Sequence, residues 1–162
     1  MILLSDANVL IDLGHVGGLS LLARLAPTEV LDVVLLECEH ASQPGLIDVV
    51  RSAGVREVAT QTAWVRTARA YRSDALSLQD RLNLVYARDN GRVLLGGDRP
   101  LRERCVAEGV EVHGSLWLVE RAFALELVSP SELCRWLQVW PTLDRRLPIA
   151  DLKRLNIELG CT

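Results

Sequence analysis

A chain of 162 residues, 49% apolar and 24% charged, is long enough for one domain with its own core and too apolar for intrinsic disorder. Its aliphatic runs, such as Val33-Val34-Leu35-Leu36, fall far short of the ~20 residues a membrane helix needs. A net charge of −3 argues against a generic polyanion binder, unless carboxylates are pooled around cations that offset them.

Lys153 is the only lysine; the other basic residues are arginines, whose planar fork grips phosphate in a bidentate way. The apolar start has no basic leader and is interrupted by Asp6 and Asp12, so no signal peptide is expected and a cytoplasmic, non-membrane protein is. Cys38, Cys105, Cys134 and Cys161 form no C-x-x-C pair, and the expectation is four buried, reduced thiols.

In chain order, Ile2-Leu3-Leu4 reads as a strand stopping at Ser5-Asp6, followed by a short helix over 8–13 that ends at Gly14. Gly17-Gly18 opens a second helix running to Pro27, and Val30-Leu31 is a second strand. Asp32 is expected to N-cap a helix through His40, which stops before Pro44-Gly45. Residues 46–53 form a helix closing on Gly54, and 55–59 a strand. Arg66, Arg69 and Arg72 recur every third residue and share one helix face, read as solvated rather than RNA-gripping.

Ser77 starts the next helix, with Leu78, Leu82 and Val85 as its buried stripe and Asn90-Gly91 as its end. Residues 93–95 form a buried strand ending at Gly96-Gly97-Asp98, and Pro100 suits the first turn of the helix after it. Gly109 ends that helix, 110–112 is the last strand, and Gly114 turns into a helix over 116–127. Ser129-Pro130 resets the chain into one more helix through Trp140. Strand and helix alternating in short units predicts one α/β domain, a short parallel sheet covered by helices, with a helical C-terminal extension over about 123–162.

In such a sheet, ligands bind beyond the carboxyl ends of the strands. Asp6 and Asp98 directly follow strands, Asp80 lies in the first turn opened by Ser77, and Glu37 and Glu39 follow the second strand. Singly, each has an ordinary structural use: Asp6 and Asp98 as helix caps, Ser77-x-x-Asp80 as a capping box, Glu37 and Glu39 as solvated charge. Gathered at one edge, unpaired acids would raise one another's pKa, a conflict that divalent cations resolve.

Met1-Ile-Leu-Leu-Ser-Asp6-Ala-Asn8-Val-Leu-Ile-Asp12 resembles the opening of PIN-domain ribonucleases, a family that includes toxin nucleases and stand-alone proteins. Asp32-Val-Val-Leu-Leu-Glu37, Leu76-Ser-Leu-Gln-Asp80 and Val93-Leu-Leu-Gly-Gly-Asp98 resemble the later acidic motifs, in order, over about 1–122. The resemblance implies a three-layer α/β/α fold and a metal-dependent ribonuclease in which Asp6, Glu37, Asp80 and Asp98 bind Mg²⁺ or Mn²⁺. Glu39 is the alternative to Glu37, and Asn8, Arg99 and Arg102 would position substrate. Implied partners are RNA, a small antitoxin protein and a second copy of the chain. Gly96 departs from the usual Thr or Ser of the fourth motif.

Two rivals stand beside this reading. A haloacid-dehalogenase-like phosphatase needs a second Asp at position 8, where Asn8 stands, and a lysine that is found only in the tail. A degenerate scaffold that binds RNA or protein without cutting is the non-enzyme alternative. Gly14-His-Val-Gly17-Gly18 lacks dinucleotide-binding spacing, and His15, His40 and His113 form no triad order. Trp117, Trp136 and Trp140 read as core or interface, and the region after Ala122 receives no chemical role.

Overall fold

Strands buried on both faces have no need of alternation, and the central strands here are apolar almost throughout. In a computed structural model, which describes residues 1–40, 42–72 and 74–162 without the side chain of residue 40, they form a five-stranded parallel sheet. The first half of the chain runs β1 (Leu3–Ser5), α1 (Ala7–Val16), α2 (Ser20–Leu25), β2 (Thr28–Leu31), α3 (Asp32–Leu35), a 3₁₀ turn (Leu36–His40), α4 (Leu46–Ser52), β3 (Arg56–Val58) and α5 (Thr62–Ala70). The second half runs α6 (Leu78–Asn90), β4 (Val93–Leu95), α7 (Arg99–Ala107), β5 (Val112–His113), α8 (Ser115–Ala124), α9 (Pro130–Thr142) and α10 (Ile149–Glu158). Leu3, Leu4, Val30, Leu31, Leu94 and Leu95 are closed to solvent at the sheet's centre. Among the described residues, no helix is long and apolar enough to cross a membrane.

The strand order is β3-β2-β1-β4-β5, so the chain winds outward one way from β1 and then returns to β1's other side. Between β1 and β4 the winding reverses, and such a switch point leaves a crevice beyond the carboxyl ends. Leu3 pairs with Val93, Leu4 with Leu94 and Ser5 with Leu95, and this register sets Asp6 beside Gly96 at the strand ends. The Asp6 N–H completes the alignment by donating to the Leu95 carbonyl at 2.8 Å.

Several expected boundaries move. Gly14 does not end α1, which continues to Val16 and closes on Gly17 in the left-handed region (φ 69°). Gly14 instead gives α4 room to approach, because a Cβ there would stand 2.7 Å from Leu46 Cδ1. Asp32 is the first residue of α3 rather than its cap; its Oδ1 accepts the N–H groups of Val33 at 2.8 Å and Thr60 at 3.0 Å. The helix it begins tightens to 3₁₀ before His40. β5 starts at Val112, since the Val110 N–H is engaged by the Cys105 carbonyl at the end of α7. α5 ends at Ala70, leaving Arg72 off the helix that carries Arg66 and Arg69.

The expectation of four reduced cysteines is also corrected: Cys38 and Cys105 are buried and free, but Cys134 and Cys161 are joined in a disulfide. α10 packs back against α8 and α9, which brings two cysteines 27 positions apart to a Cα separation of 5.5 Å. That proximity is created by tertiary folding and has no trace in spacing.

Candidate active site

Asp6 stands at the switch point as the N-cap of α1, with Oδ1 accepting the Val9 N–H at 2.8 Å. Its Oδ2 faces Gly96, where a Cβ would sit 3.2 Å from that oxygen and 3.1 Å from Leu101 Cδ2. A Ser or Thr at 96 would crowd the carboxylate, so the glycine leaves Asp6 its space. The side chain is only 4% exposed. Burial pushes its pKa from 3.8 to about 7 against the Val9 hydrogen bond, and the charges of Asp98, Asp80 and Asp12 push the same way.

Asp98 precedes α7 without making a side-chain cap and is exposed; Asn8 Nδ2 donates to its Oδ2 at 3.5 Å. Asp80 does form the capping box: its Oδ2 accepts the Ser77 N–H at 3.2 Å, and its own N–H donates to Ser77 Oγ at 3.1 Å. Burial nevertheless raises its pKa, with the charge of Asp98 adding to it. A capping residue therefore also belongs to the acidic edge.

Glu37, on the 3₁₀ turn, is raised by partial burial and then by the charge of Asp80, so it shares this edge. Glu39 instead acts on Arg51 of α4, a cation held chiefly by its hydrogen bond to Glu57. The turn thus sends the two glutamates to different neighbourhoods. Arg99 is exposed and paired with Glu103 at 2.7 Å, whereas Arg102 is half-buried beside Gly114.

Three participants, Asp12, Ser115 and Arg145, receive no role from the sequence. Asp12, 5% exposed on α1, accepts Ser115 Oγ at 2.7 Å, and Arg145 Nε lies 2.5 Å from its other oxygen. Burial raises the Asp12 pKa, while Ser115 and Arg145 pull it down. Arg145 Nη2 also donates to Asn8 Oδ1 at 3.4 Å, so a polar chain runs Ser115, Asp12, Arg145, Asn8, Asp98. Asp12 had a signal: it is an acid among Val9, Leu10, Leu13 and Val16, the buried positions of α1. Arg145, 137 residues from Asn8 and outside any helix, had none.

Among the described residues, no three acidic, histidine or cysteine side chains come together closely enough to hold one ion as they stand. The donor set still suits a hard divalent cation. It consists of carboxylate oxygens, and the buried member is disfavoured by its own charge and by neighbours of the same sign.

A family model described as PIN domain matches residues 2–145. Among solved structures, a PilT N-terminus domain protein from the hyperthermophilic archaeon Sulfolobus solfataricus P2 superposes with a TM-score of 0.52 at 13% identity, covering 73% of this chain and 90% of that one. PAE2754 from Pyrobaculum aerophilum gives a TM-score of 0.55 at 18% identity, covering 75% and 90%. At these identities the likeness speaks for the fold. A search of the curated proteins finds no match.

Proposed function

The chain belongs to the PIN-domain family, generally nucleases that use divalent metals, and on that premise we propose that it is a Mg²⁺- or Mn²⁺-dependent ribonuclease hydrolysing RNA with water. The observation that carries this reading is Asp6, a buried carboxylate at the switch point, pushed to about 7 by burial and by Asp98, Asp80 and Asp12. A group in that state is costly to ionise and is relieved by a cation.

Asp6, Asp80 and Asp98, with Glu37 at the rim, would hold the metal. Mg²⁺ is commonly bound by one or two carboxylates with waters and substrate phosphate, which asks less of the protein than a closed cage. When bound, such an ion supplies a lowered water pKa and positive charge at the leaving oxygen. Asn8 orients Asp98 by its hydrogen bond, and Arg102 faces the phosphate backbone more readily than Arg99, which is occupied by Glu103. A toxin role with a small antitoxin is a further proposal resting on the sequence resemblance alone, and a short reading frame for a DNA-binding protein beside this gene would support it.

The test is cleavage of single-stranded RNA by the purified chain. Activity should require Mg²⁺ or Mn²⁺, stop with EDTA, leave 5′-phosphate ends, and vanish in Asp6→Asn and Asp98→Asn. Activity that survives EDTA, or 2′,3′-cyclic phosphate products, overturns it. The binding-only reading draws on the absence of three converging ligands among the described residues, and it predicts no Mn²⁺-induced rise in melting temperature.

A further inference from the structure

The segment between α9 and α10 crosses in front of the acidic edge and splits the space there into two clefts, of about 430 Å³ on the α8 side and about 890 Å³ on the α7 side. Both clefts are lined by Gly97, Asp98, Arg102, Arg146, Leu147 and Pro148, so they meet at one gate beside Asp98. Arg102 comes to the gate from α7 and Arg146 from the crossing segment. The floor is bare backbone: a Cβ at Gly114 would stand 3.9 Å from both Gly97 Cα and Arg102 Nη1.

The arginines around this gate divide by what they hold. Arg145 is engaged by Asp12, Arg99 by Glu103, Arg104 by Glu108, and Arg154 by Glu120 and Asp151. Arg102 and Arg146 have no carboxylate partner among the described residues, although Asp98 and Asp144 line the clefts with them. Their forks are therefore available to an anion supplied from outside. The smaller cleft is also lined by Asp144 and by Glu120 and Asp151, which Arg154 pairs, so the cations it offers without a carboxylate partner are those of the gate.

We propose that Arg102 and Arg146 form a phosphate-binding gate for single-stranded RNA, gripping the backbone next to the bond at Asp98 as the strand passes from one cleft to the other. Arg145 is the tie that holds the crossing segment in place, through Asp12 and Asn8. The occupant is a phosphodiester chain because an extended, regularly charged ligand fills two clefts joined at a pair of cations. The C-terminal region is then part of the substrate groove. The inference rests on the ribonuclease reading for its ligand, and its test is binding rather than cleavage.

Fluorescence anisotropy of a labelled single-stranded RNA, measured with Mg²⁺ in the Asp6→Asn chain across a salt series, reads the gate directly. Arg102→Gln and Arg146→Gln should each weaken binding several-fold. Each should also flatten the slope of log K against log salt by about 0.7, the value per phosphate contact of a single strand. Arg66→Gln on α5 should change neither, and melting temperatures verify that every variant is folded. Affinity and slope unchanged in Arg146→Gln, or no RNA binding by the Asp6→Asn chain, overturns the proposal. If RNA is never cut but binding follows both arginines, the nuclease reading fails and the gate stands. If RNA is cut and binding ignores both, the gate fails alone.

Discussion

Two carboxylates lie buried on neighbouring strands or at their ends, and the fold treats them in opposite ways. Glu29 of β2, near the amino ends of the strands, is 3% exposed and accepts hydrogen bonds from Arg92 at 3.0 Å, Tyr86 Oη at 2.8 Å and Arg56. Burial pushes its pKa up, and these three partners more than reverse the effect, leaving it below the ordinary value. Asp6, at the carboxyl ends and 4% exposed, has one backbone hydrogen bond and acidic neighbours, and is left at about 7. The same chain that satisfies one buried acid fully leaves another unsatisfied where the sheet's winding opens a crevice. On the function proposed above, the acid left without a cation is the one that would meet a metal.

The largest way to test the contrast is Asp6→Asn. A carboxyl raised from 3.8 to about 7 costs the metal-free fold roughly 4 kcal/mol once both states would be ionised. Both states are protonated below the ordinary value, so the cost is absent there. It grows between about pH 4 and 7 as the unfolded carboxyl ionises first, and is full above. Asparagine keeps the cap, so urea unfolding with EDTA should show a gain near that size at pH 8 and none at pH 3.5. Adding Mn²⁺ should stabilise the parent and leave the variant unmoved. A loss of stability at pH 8 would break the comparison.

Glu29→Gln should act the other way, costing about 2–3 kcal/mol at pH 7 by unpairing Arg92 and Arg56, with discounting because Arg56 is two-thirds exposed. Because the folded Glu29 value is lowered, its contribution is complete above the ordinary 4.5 and fades as pH falls through the folded value, so this loss should shrink in acid. Arg145→Gln leaves Asp12 buried with Ser115 alone and should cost about 1–2 kcal/mol by the same unfolding assay. Tyr86→Phe removes one hydrogen bond to Glu29 and should cost about 1 kcal/mol, with a small rise in the Glu29 pKa seen by NMR titration.

The strands and the acids that end them were readable because both signals are local. Leu3-Leu4 and Val93-Leu94-Leu95 are apolar runs that stop at Asp6 and just before Asp98, and Ser77-x-x-Asp80 is a box written in four residues. What escaped depends on approach across the fold. Gly14 has the look of a helix stop until α4 arrives over it, and Asp32 of a cap until Thr60 reaches its carboxylate. Position 96 reads as a hydroxyl lost from a motif, yet the register of β1 on β4 makes it the space Asp6 occupies. Arg145 lies in a stretch without periodicity, and its partners Asp12 and Asn8 are more than 130 positions away. A one-dimensional pattern records what a residue does to its neighbours along the chain and is silent on such encounters.

The disulfide between Cys134 and Cys161 closes a loop that contains the whole crossing segment, including Arg145 and Arg146. By the chain-entropy account, closing a loop of this size removes roughly 3 to 4 kcal/mol worth of freedom from the unfolded ensemble. That restriction falls on the part of the molecule with the least sheet to anchor it, where α10 buries only Leu155 fully within its span. In a reducing medium the segment must be held by packing and by the contacts of Arg145 with Asp12 and Asn8. A reducing agent should therefore loosen this end of the chain before the sheet, which faster amide hydrogen exchange over α10 than over α1 would report.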